Sequence, residues 1–328
     1  ADGKQYEGDV RYTLKKVIKK AADMGYNFDI SPELEFFLFH LDEEGLPTTI
    51  SHEQAGYFDV APLDLGENAR RDIVLTLEEM GYSVLSSHHE IAPSQHEVDF
   101  DYYEPLKAAD NIQTFKMAVK TVAKRHGLHA SFMPKPREGV PGSGMHINIS
   151  MYNEMGQDKF KDASDLNGIS KEAYAFIGGI MKHAEALTAI SNPIVNSYKR
   201  LVPGFDAPTS IAWSTKSRYP FIRVRNAGED AIRIELRSPD PSANPYLMLA
   251  TILACGLKGI EENIECPERI DDNLYAYTEA QLKAKGIKSL PPCLGDAINI
   301  LDTYYQVADI YMPEVLLPCA KFLLEYIL

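Results

Sequence analysis

Cysteine is scarce in this chain of 328 residues, and the few cysteines form no motif. The four residues lie at positions 255, 266, 293 and 319 without a Cys-x-x-Cys pair, which argues against a zinc finger and against a disulfide scaffold. Long apolar runs are also missing. No stretch reaches the roughly 18–20 residues that span a bilayer, and the polar N-terminus lacks a signal-peptide core. We therefore expect a protein of the reducing cytoplasm that has no membrane partner.

Positive charge is in short supply as well. Lys and Arg number 33 against 47 Asp and Glu, which gives a net charge of -14. A nucleic-acid-binding surface is therefore not expected, although small anions can still bind where arginines gather locally. The chain also lacks internal repeats and low-complexity segments, and its hydrophobic content of 45% is enough for a large core in one domain or two.

Turn residues divide the chain into interleaved helix and strand signals. Periodic apolar patterns predict helices at 10–22, 68–80, 105–126, 171–191 and 245–262. Alternating or short apolar runs predict strands at 28–41, 82–87, 95–103, 128–133, 144–153 and 232–237. Residues 192–230, rich in Pro, Gly, Arg and Ser, are predicted to be long ordered loops that carry function. Many direct returns between strands predict an α+β fold, an antiparallel sheet with helices on one face.

Two carboxylates stand two residues apart on the first predicted strand. Strand side chains alternate between faces, so Glu33 and Glu35 project to one side, while Leu34 and Phe36 supply an apolar face on the other. Such a pair taken alone is usually a solvated face. Its apolar flanks and the other charged motifs of the chain favour a site strand instead.

Further acidic residues and a histidine follow the same pattern. Glu90 and Glu97 flank a short segment, His146 follows a Gly-Ser-Gly-Met turn, and residues 233–237 place two arginines and Glu235 on one face of a strand. Five carboxylates, one imidazole and two arginines beside apolar strands require partners of both charges. Divalent metal together with phosphate supplies both.

Five longer strings resemble the catalytic domain of type I glutamine synthetase of bacteria and archaea. They are PELEFFLF (32–39), HHEIAPSQHEVDF (88–100), MPKPREGVPGSGMHINIS (133–150), NPIVNSYKRLVPGFDAP (192–208) and RIELRSPDPSANPYL (233–247). The resemblance implies the glutamine synthetase/guanido kinase-like fold, a curved antiparallel sheet flanked by helices. It also implies a ligase in which ATP phosphorylates the side-chain carboxylate of glutamate, and ammonia then displaces phosphate from the γ-glutamyl phosphate.

The resemblance implies a role for each candidate site residue. One Mg²⁺ or Mn²⁺ ion near glutamate would be held by Glu35, Glu90 and Glu97, and a second ion near the nucleotide phosphates by Glu33, His146 and Glu235. Arg200 would pair with the α-carboxylate of glutamate, with Gly142, Gly144 and His146 close to the same substrate. The nucleotide and its phosphates would be bound by Asn148, Ser150, Arg223 and Arg233. Catalysis would depend on Arg218 and Arg237 at the transferred group, and on Asp206 at the ammonium.

Three departures from the family affect the activity we expect. The smaller N-terminal domain of the family is missing, and the chain begins at Ala1 rather than methionine, so we expect a longer parent protein. Pro141 replaces an Asn, Asp206 a Glu, Ser217 an Asn and Arg225 a Pro. Residues 291–328 do not resemble the C-terminal helices of the family. They predict two apolar helices that pack on the catalytic domain (1–290) or form an interface.

The expected function is therefore an ATP- and metal-dependent ligase of glutamate and ammonium, with weak or no activity in this chain alone. Two alternatives stay open. The chain could be a catalytically silent scaffold or assembly module of the same fold, or a ligase that joins glutamate to a larger amine, since Asp206 and Pro141 alter that pocket. The resemblance also implies a homo-oligomer in the parent family.

Overall fold

A nine-stranded sheet organises this computed structural model, which describes residues 3, 6, 8–226 and 231–307. Two further short strands form a separate pair. The strands are β1 Asn27–Leu41, β2 Pro47–Ser51, β3 Val84–His89, β4 Gln95–Phe100, β5 Leu128–Ser131, β6 Met145–Tyr152, β7 Ser210–Ile211, β8 Trp213–Ser214, β9 Ile222–Asn226, β10 Ile232–Leu236 and β11 Lys288–Ser289. The α-helices are α1 Val10–Asp23, α2 Glu67–Glu79, α3 Pro105–Arg125, α4 Lys171–Lys182, α5 Ala184–Ser191, α6 Val195–Arg200, α7 Pro245–Glu262, α8 Glu279–Ala284 and α9 Leu294–Val307.

The long strand β1 is the centre of the sheet. The strand order is β3-β4-β1-β6-β10-β9-β8, and β2 and β5 pair with the distal half of β1. The register sets Glu33 opposite His146 on β6 and opposite Asp99 on β4, and sets Glu35 opposite Glu97. These pairings bring residues far apart in sequence to one face of the sheet. All pairs of the sheet are antiparallel except β8 with β9, which is parallel.

The main core lies between the sheet and the helices. Leu34 and Phe36 point into it and are fully buried, and the ring of Phe36 lies 6.0 Å from that of Phe115 on α3. Burying each such side chain contributes roughly 1.5–3 kcal/mol. Phe37 and Phe39 stack at 5.3 Å on the opposite face, next to the carboxylates. The predicted α+β fold, with core helices on one side of a large sheet, is confirmed.

Two sequence predictions of secondary structure are wrong. The single helix predicted at 171–191 is two helices that meet at His183, which ends α4 and precedes α5. This break lets α5 pack against α9 in a second core, which includes Ala186, Ala189 and Leu301. The segment 192–230 is not all loop, since it contains α6 and the strands β7, β8 and β9. Buried Trp213 and Ile222 explain why that segment joins the sheet.

The C-terminal segment is described only in part. Helix α9 packs on α5 through Leu294, Ala297 and Leu301, among other residues. Residues 308–328, which include the second of the two helices predicted for residues 291–328, lie outside the described residues. Within the described residues, no helix combines the length and the apolar character needed to cross a bilayer.

Candidate active site

A polar cleft of about 410 Å³ opens on the sheet face opposite the main helical core. Its floor is the set of side chains that the register of β1, β4, β6, β9 and β10 brings together. Of the sequence-predicted site residues, the cleft is lined by Glu33, Glu35, Glu90, Glu97, Gly142, His146, Arg200, Asp206, Arg218, Arg223, Glu235 and Arg237. Carboxylates and arginines therefore face one another across a small volume.

The first carboxylate cluster joins three strands. Ligand atoms of Glu33, His146 and Glu235 all lie within 4.8 Å of one another. His146 Nδ1 is 3.1 Å from Glu33 Oε2 and 3.7 Å from Glu235 Oε1, and the side-chain amide of Asn148 donates to Glu33 Oε1 at 2.9 Å. Burial disfavours the ionised form of Glu33, but its contacts with His146, Asn148 and Arg225 together outweigh burial and lower the pKa of Glu33 to about 2.

The second cluster joins the end of β3 to β4. Ligand atoms of His88, Glu90 and Glu97 lie within 4.8 Å of one another. Burial and the nearby charge of Glu35 raise the pKa of Glu90 to about 7, and burial together with the charge of Asp99 raises the pKa of Glu97 well above its ordinary value. Within residues 8–226 and 231–307, neither glutamate forms an ion pair with an arginine or lysine.

His88 is a candidate ligand that is not among the site residues predicted from the sequence. The spacing of His88 and Glu90, two residues apart at the end of a strand, was the available signal. Glu35 lies near this cluster but is not one of the three residues whose ligand atoms lie within 4.8 Å of one another. Its Oε2 accepts from the Gln95 side chain at 2.9 Å and from the Gly144 amide at 2.8 Å, which fixes its position.

The donor sets of both clusters fit hard divalent cations. Each combines carboxylate oxygens with a single imidazole, a set that suits Mg²⁺ or Mn²⁺ better than zinc. Glu235 Oε2 is buried without a hydrogen-bond partner, so a cation would satisfy it. Burial and the charge of Glu35 raise the pKa of Glu90, so a bound cation would also stabilise its ionised form.

A third acidic and histidine group is occupied by an arginine. Asp64, His89 and His96 lie close together, but Arg70 Nη1 binds Asp64 Oδ2 at 2.5 Å and His96 Nδ1 at 2.9 Å. His89 Nε2 in turn lies 2.9 Å from Glu53 Oε1. All five side chains are buried. This group therefore connects α2 and the segment before it to β3 and β4, next to Glu90 and Glu97.

The predicted arginines occupy different positions. Arg237 binds Glu235 Oε1 at 2.6 Å, and Arg223 lies 3.7 Å from Glu235 Oε2. Arg218 lies 3.2 Å from Asp206 Oδ1, and Asp206 adopts a left-handed backbone with φ of 57°.

A smaller cavity of about 240 Å³ adjoins the cleft. Asn148 and Arg233 line it, and the guanidinium of Arg233 lies 4.3 Å from the centre of the Tyr102 ring. Ser150 lies two residues farther along β6, opposite Asp29, and lines neither volume.

Arg200 and two glycines form a tightly packed corner. Arg200 is 2% exposed and donates to the carbonyls of residues 237, 238 and 239 at 3.1, 2.7 and 3.3 Å. A Cβ on Gly144 would lie 2.5 Å from Arg200 Nη2, and a Cβ on Gly142 would lie 2.0 Å from the Pro134 carbonyl. Only glycine fits at these two positions without a shift of the backbone or of Arg200.

Comparison with known proteins gives consistent matches. Residues 7–318 match the family model described as glutamine synthetase, catalytic domain. The glutamine synthetase of Clostridium saccharobutylicum is 52% identical over 300 residues, which are 92% of this chain and 68% of that protein. The glutamine synthetase of Staphylococcus aureus strain MW2 is 51% identical over 301 residues, 92% of this chain and 67% of that protein. The chain thus spans about two thirds of the length of these relatives.

Solved structures with the same fold are similar over nearly the whole chain. A GmaS/ADP complex superposes with a TM-score of 0.85 at 34% identity and covers 98% of this chain and 74% of its own. The Plasmodium falciparum glutamine synthetase superposes with a TM-score of 0.81 at 27% identity and covers 99% of this chain and 77% of its own.

Proposed function

The chain belongs to the glutamine synthetase family, and we propose that its cleft joins ammonia to the side-chain carboxylate of glutamate through a γ-glutamyl phosphate formed from ATP. One observation carries this proposal. Two separate carboxylate and histidine clusters face a group of arginines in a single cleft. Phosphoryl transfer requires mainly such positioning and charge neutralisation.

The two clusters would hold the divalent cations. Glu33, His146 and Glu235 would bind one Mg²⁺ or Mn²⁺ ion, and His88, Glu90 and Glu97, with Glu35 beside them, would bind the other. Bound there, the cations would neutralise phosphate oxygens and the charge that develops during transfer. The proposal thus adds His88 to the ligands expected from the sequence.

The arginines would bind the anionic parts of the substrates. Arg223 and Arg237 lie next to Glu235, where they can reach phosphate oxygens as well as the carboxylate. Arg233 and Asn148, in the adjoining cavity, would contact the nucleotide. Arg200 would supply positive charge for the α-carboxylate of glutamate. In this structure its guanidinium donates hydrogen bonds to backbone carbonyls.

Asp206 would act on the attacking amine. It lines the cleft, and Arg218 lies 3.2 Å from its carboxylate. An aspartate at this position can attract ammonium and accept its proton, but it is one methylene shorter than the glutamate of the family. We therefore expect slower turnover by this chain than by an ordinary ligase.

The C-terminal segment is proposed to belong to the same structural unit. The contacts of Leu294, Ala297 and Leu301 with α5 support packing on the catalytic domain for the described part of the segment. A cytoplasmic location and homo-oligomeric assembly complete the proposal, by analogy with the family.

Phosphate release from ATP tests the proposed function directly. The purified chain would be assayed with Mg²⁺ and glutamate, with and without ammonium, beside a Glu97→Gln variant. We expect release that depends on ammonium and is lost in the variant, at a rate below the roughly 1–10³ s⁻¹ of typical enzymes. ATP binding without any release would instead favour the silent scaffold. Release with a larger amine but not with ammonium would favour the other alternative.

A further inference from the structure

Arg225 on β9 lies at the boundary of the two volumes and lines both of them. Its Nη1 is 3.0 Å from Glu33 Oε1 and 3.8 Å from Glu235 Oε2. Arg225 therefore contacts two of the three members of the first cluster. Arg225 also stands where the family pattern is expected to have proline.

The contact with Glu235 is electrostatic only. Glu235 Oε2 is buried and has no hydrogen-bond partner, even with Arg225 Nη1 at 3.8 Å. The carboxylate of Glu235 belongs to the candidate ligand set with Glu33 and His146. The guanidinium and a divalent ion thus depend on the same two carboxylates.

The side chain of Arg225 is exposed enough to move away from Glu33 and Glu235. It is 43% exposed, unlike Arg237, which is 7% exposed and bound to the other oxygen of Glu235. Asp99 lines the same two volumes, and its Oδ1 is buried without a hydrogen-bond partner. A displaced guanidinium would therefore find an acceptor close by.

We propose that Arg225 competes with divalent cations for the carboxylates of the Glu33, His146 and Glu235 cluster. Its guanidinium balances the two glutamates when no cation is bound, and an entering cation must displace it. The inference rests on the proposed function to the extent that this cluster binds a divalent ion. The second cluster has no such competitor, because within residues 8–226 and 231–307 no arginine or lysine pairs with Glu90 or Glu97.

Removal of the competing charge is expected to strengthen cation binding at this cluster. A half-exposed ion pair contributes little to folding, so Arg225→Ala is expected to fold normally. The same charge opposes a divalent ion that uses the same carboxylates, and we expect the variant to bind Mn²⁺ about 5–30-fold more tightly.

A Mn²⁺ titration of the nucleotide-free chain tests the inference. Glu97→Gln would serve as background to remove the second cluster, with binding followed by calorimetry and by the paramagnetic resonance of free Mn²⁺. Arg225→Ala and Arg225→Gln should each bind more tightly than the background, while Arg225→Lys should retain the weaker binding. Arg11→Ala is the matched control, because Arg11 pairs with Asp110 at 2.8 Å and is 42% exposed, outside the cleft.

The possible failures are distinguishable. Equal, measurable Mn²⁺ affinity in the background and in its Arg225→Ala and Arg225→Gln variants would overturn the role of Arg225 but leave the proposed metal site intact. A tightening of the same size in Arg11→Ala would overturn it too, since net charge alone would then be the cause. No Mn²⁺ binding in any of these chains would overturn the metal site itself, and the inference with it.

Discussion

Glu90→Gln should stabilise the metal-free protein, although it removes a candidate ligand. Glu90 is 9% exposed, and its side chain accepts a hydrogen bond from the Ile91 amide at 2.9 Å, which a glutamine can also accept. Burial and the charge of Glu35 raise the pKa of Glu90 from 4.5 to about 7. Between pH 4.5 and pH 7, Glu90 therefore keeps a proton in the folded state that it releases in the unfolded chain.

The sign and size of the effect follow from this pKa. Below pH 4.5 both states hold the proton and Glu90 makes no difference to stability. As the pH rises from 4.5 to 7, the unfolded state binds fewer protons than the folded state, so the free energy of unfolding falls. The full loss is about 3 kcal/mol and is reached above pH 7. A glutamine, which does not ionise, avoids that loss.

Urea denaturation at pH 4.5 and pH 8 with a chelator present measures the effect. At pH 8, Glu90→Gln should be more stable than the unmodified chain by about 3 kcal/mol, and at pH 4.5 the two should be equal. The control is Glu79→Gln, at an exposed position of α2, which should change the free energy of unfolding neither at pH 4.5 nor at pH 8. Mn²⁺ at a thousand times its Kd should reverse the order, since binding then adds about 4.1 kcal/mol to a chain that binds the ion. Equal stability of Glu90→Gln and the control at pH 8 would refute the electrostatic reasoning.

Three further predictions concern residues that support or line the cleft. Glu53→Gln should lower the free energy of unfolding by about 3–5 kcal/mol, because it removes the buried charge paired with His89 at 2.9 Å. A urea midpoint equal to that of the control Glu44→Gln, at an exposed position, would contradict this. Arg200→Lys should lower the Tm and raise the KM for glutamate, since one ammonium cannot replace a guanidinium that donates to three carbonyls. An unchanged KM would show that Arg200 does not bind the substrate. Asp206→Asn should lower kcat on the order of 10²-fold with little change in the KM for ATP, and an unchanged kcat would show that this carboxylate is not needed.

Local patterns were sufficient to predict the strand that carries the site. The two-residue period of β1 placed Leu34 and Phe36 in the core, and both are fully buried there. The same period placed Glu33 and Glu35 on the opposite face, where they line the cleft. Alternation is a property of consecutive residues, so it needs no knowledge of the rest of the fold.

Contacts between distant segments were beyond such patterns. The pairing of Arg70 with Asp64 and His96 joins α2 and the segment before it to β4, and no periodicity in the sequence indicates it. The strands within 192–230 were hidden by the many turn residues of that segment, whereas burial of Trp213 and Ile222 against the core determines their structure. Tertiary packing overrides local propensity in such short strands.

The two candidate clusters differ in what balances their charge. Glu33, with a pKa of about 2, stays ionised at neutral pH and is paired with Arg225. Glu90, with a pKa of about 7, holds a proton through part of the neutral range. An entering divalent ion would thus replace a guanidinium at the first cluster and a proton at the second. We therefore expect cation binding to depend on pH mainly at the second cluster, and on the position of the Arg225 side chain at the first.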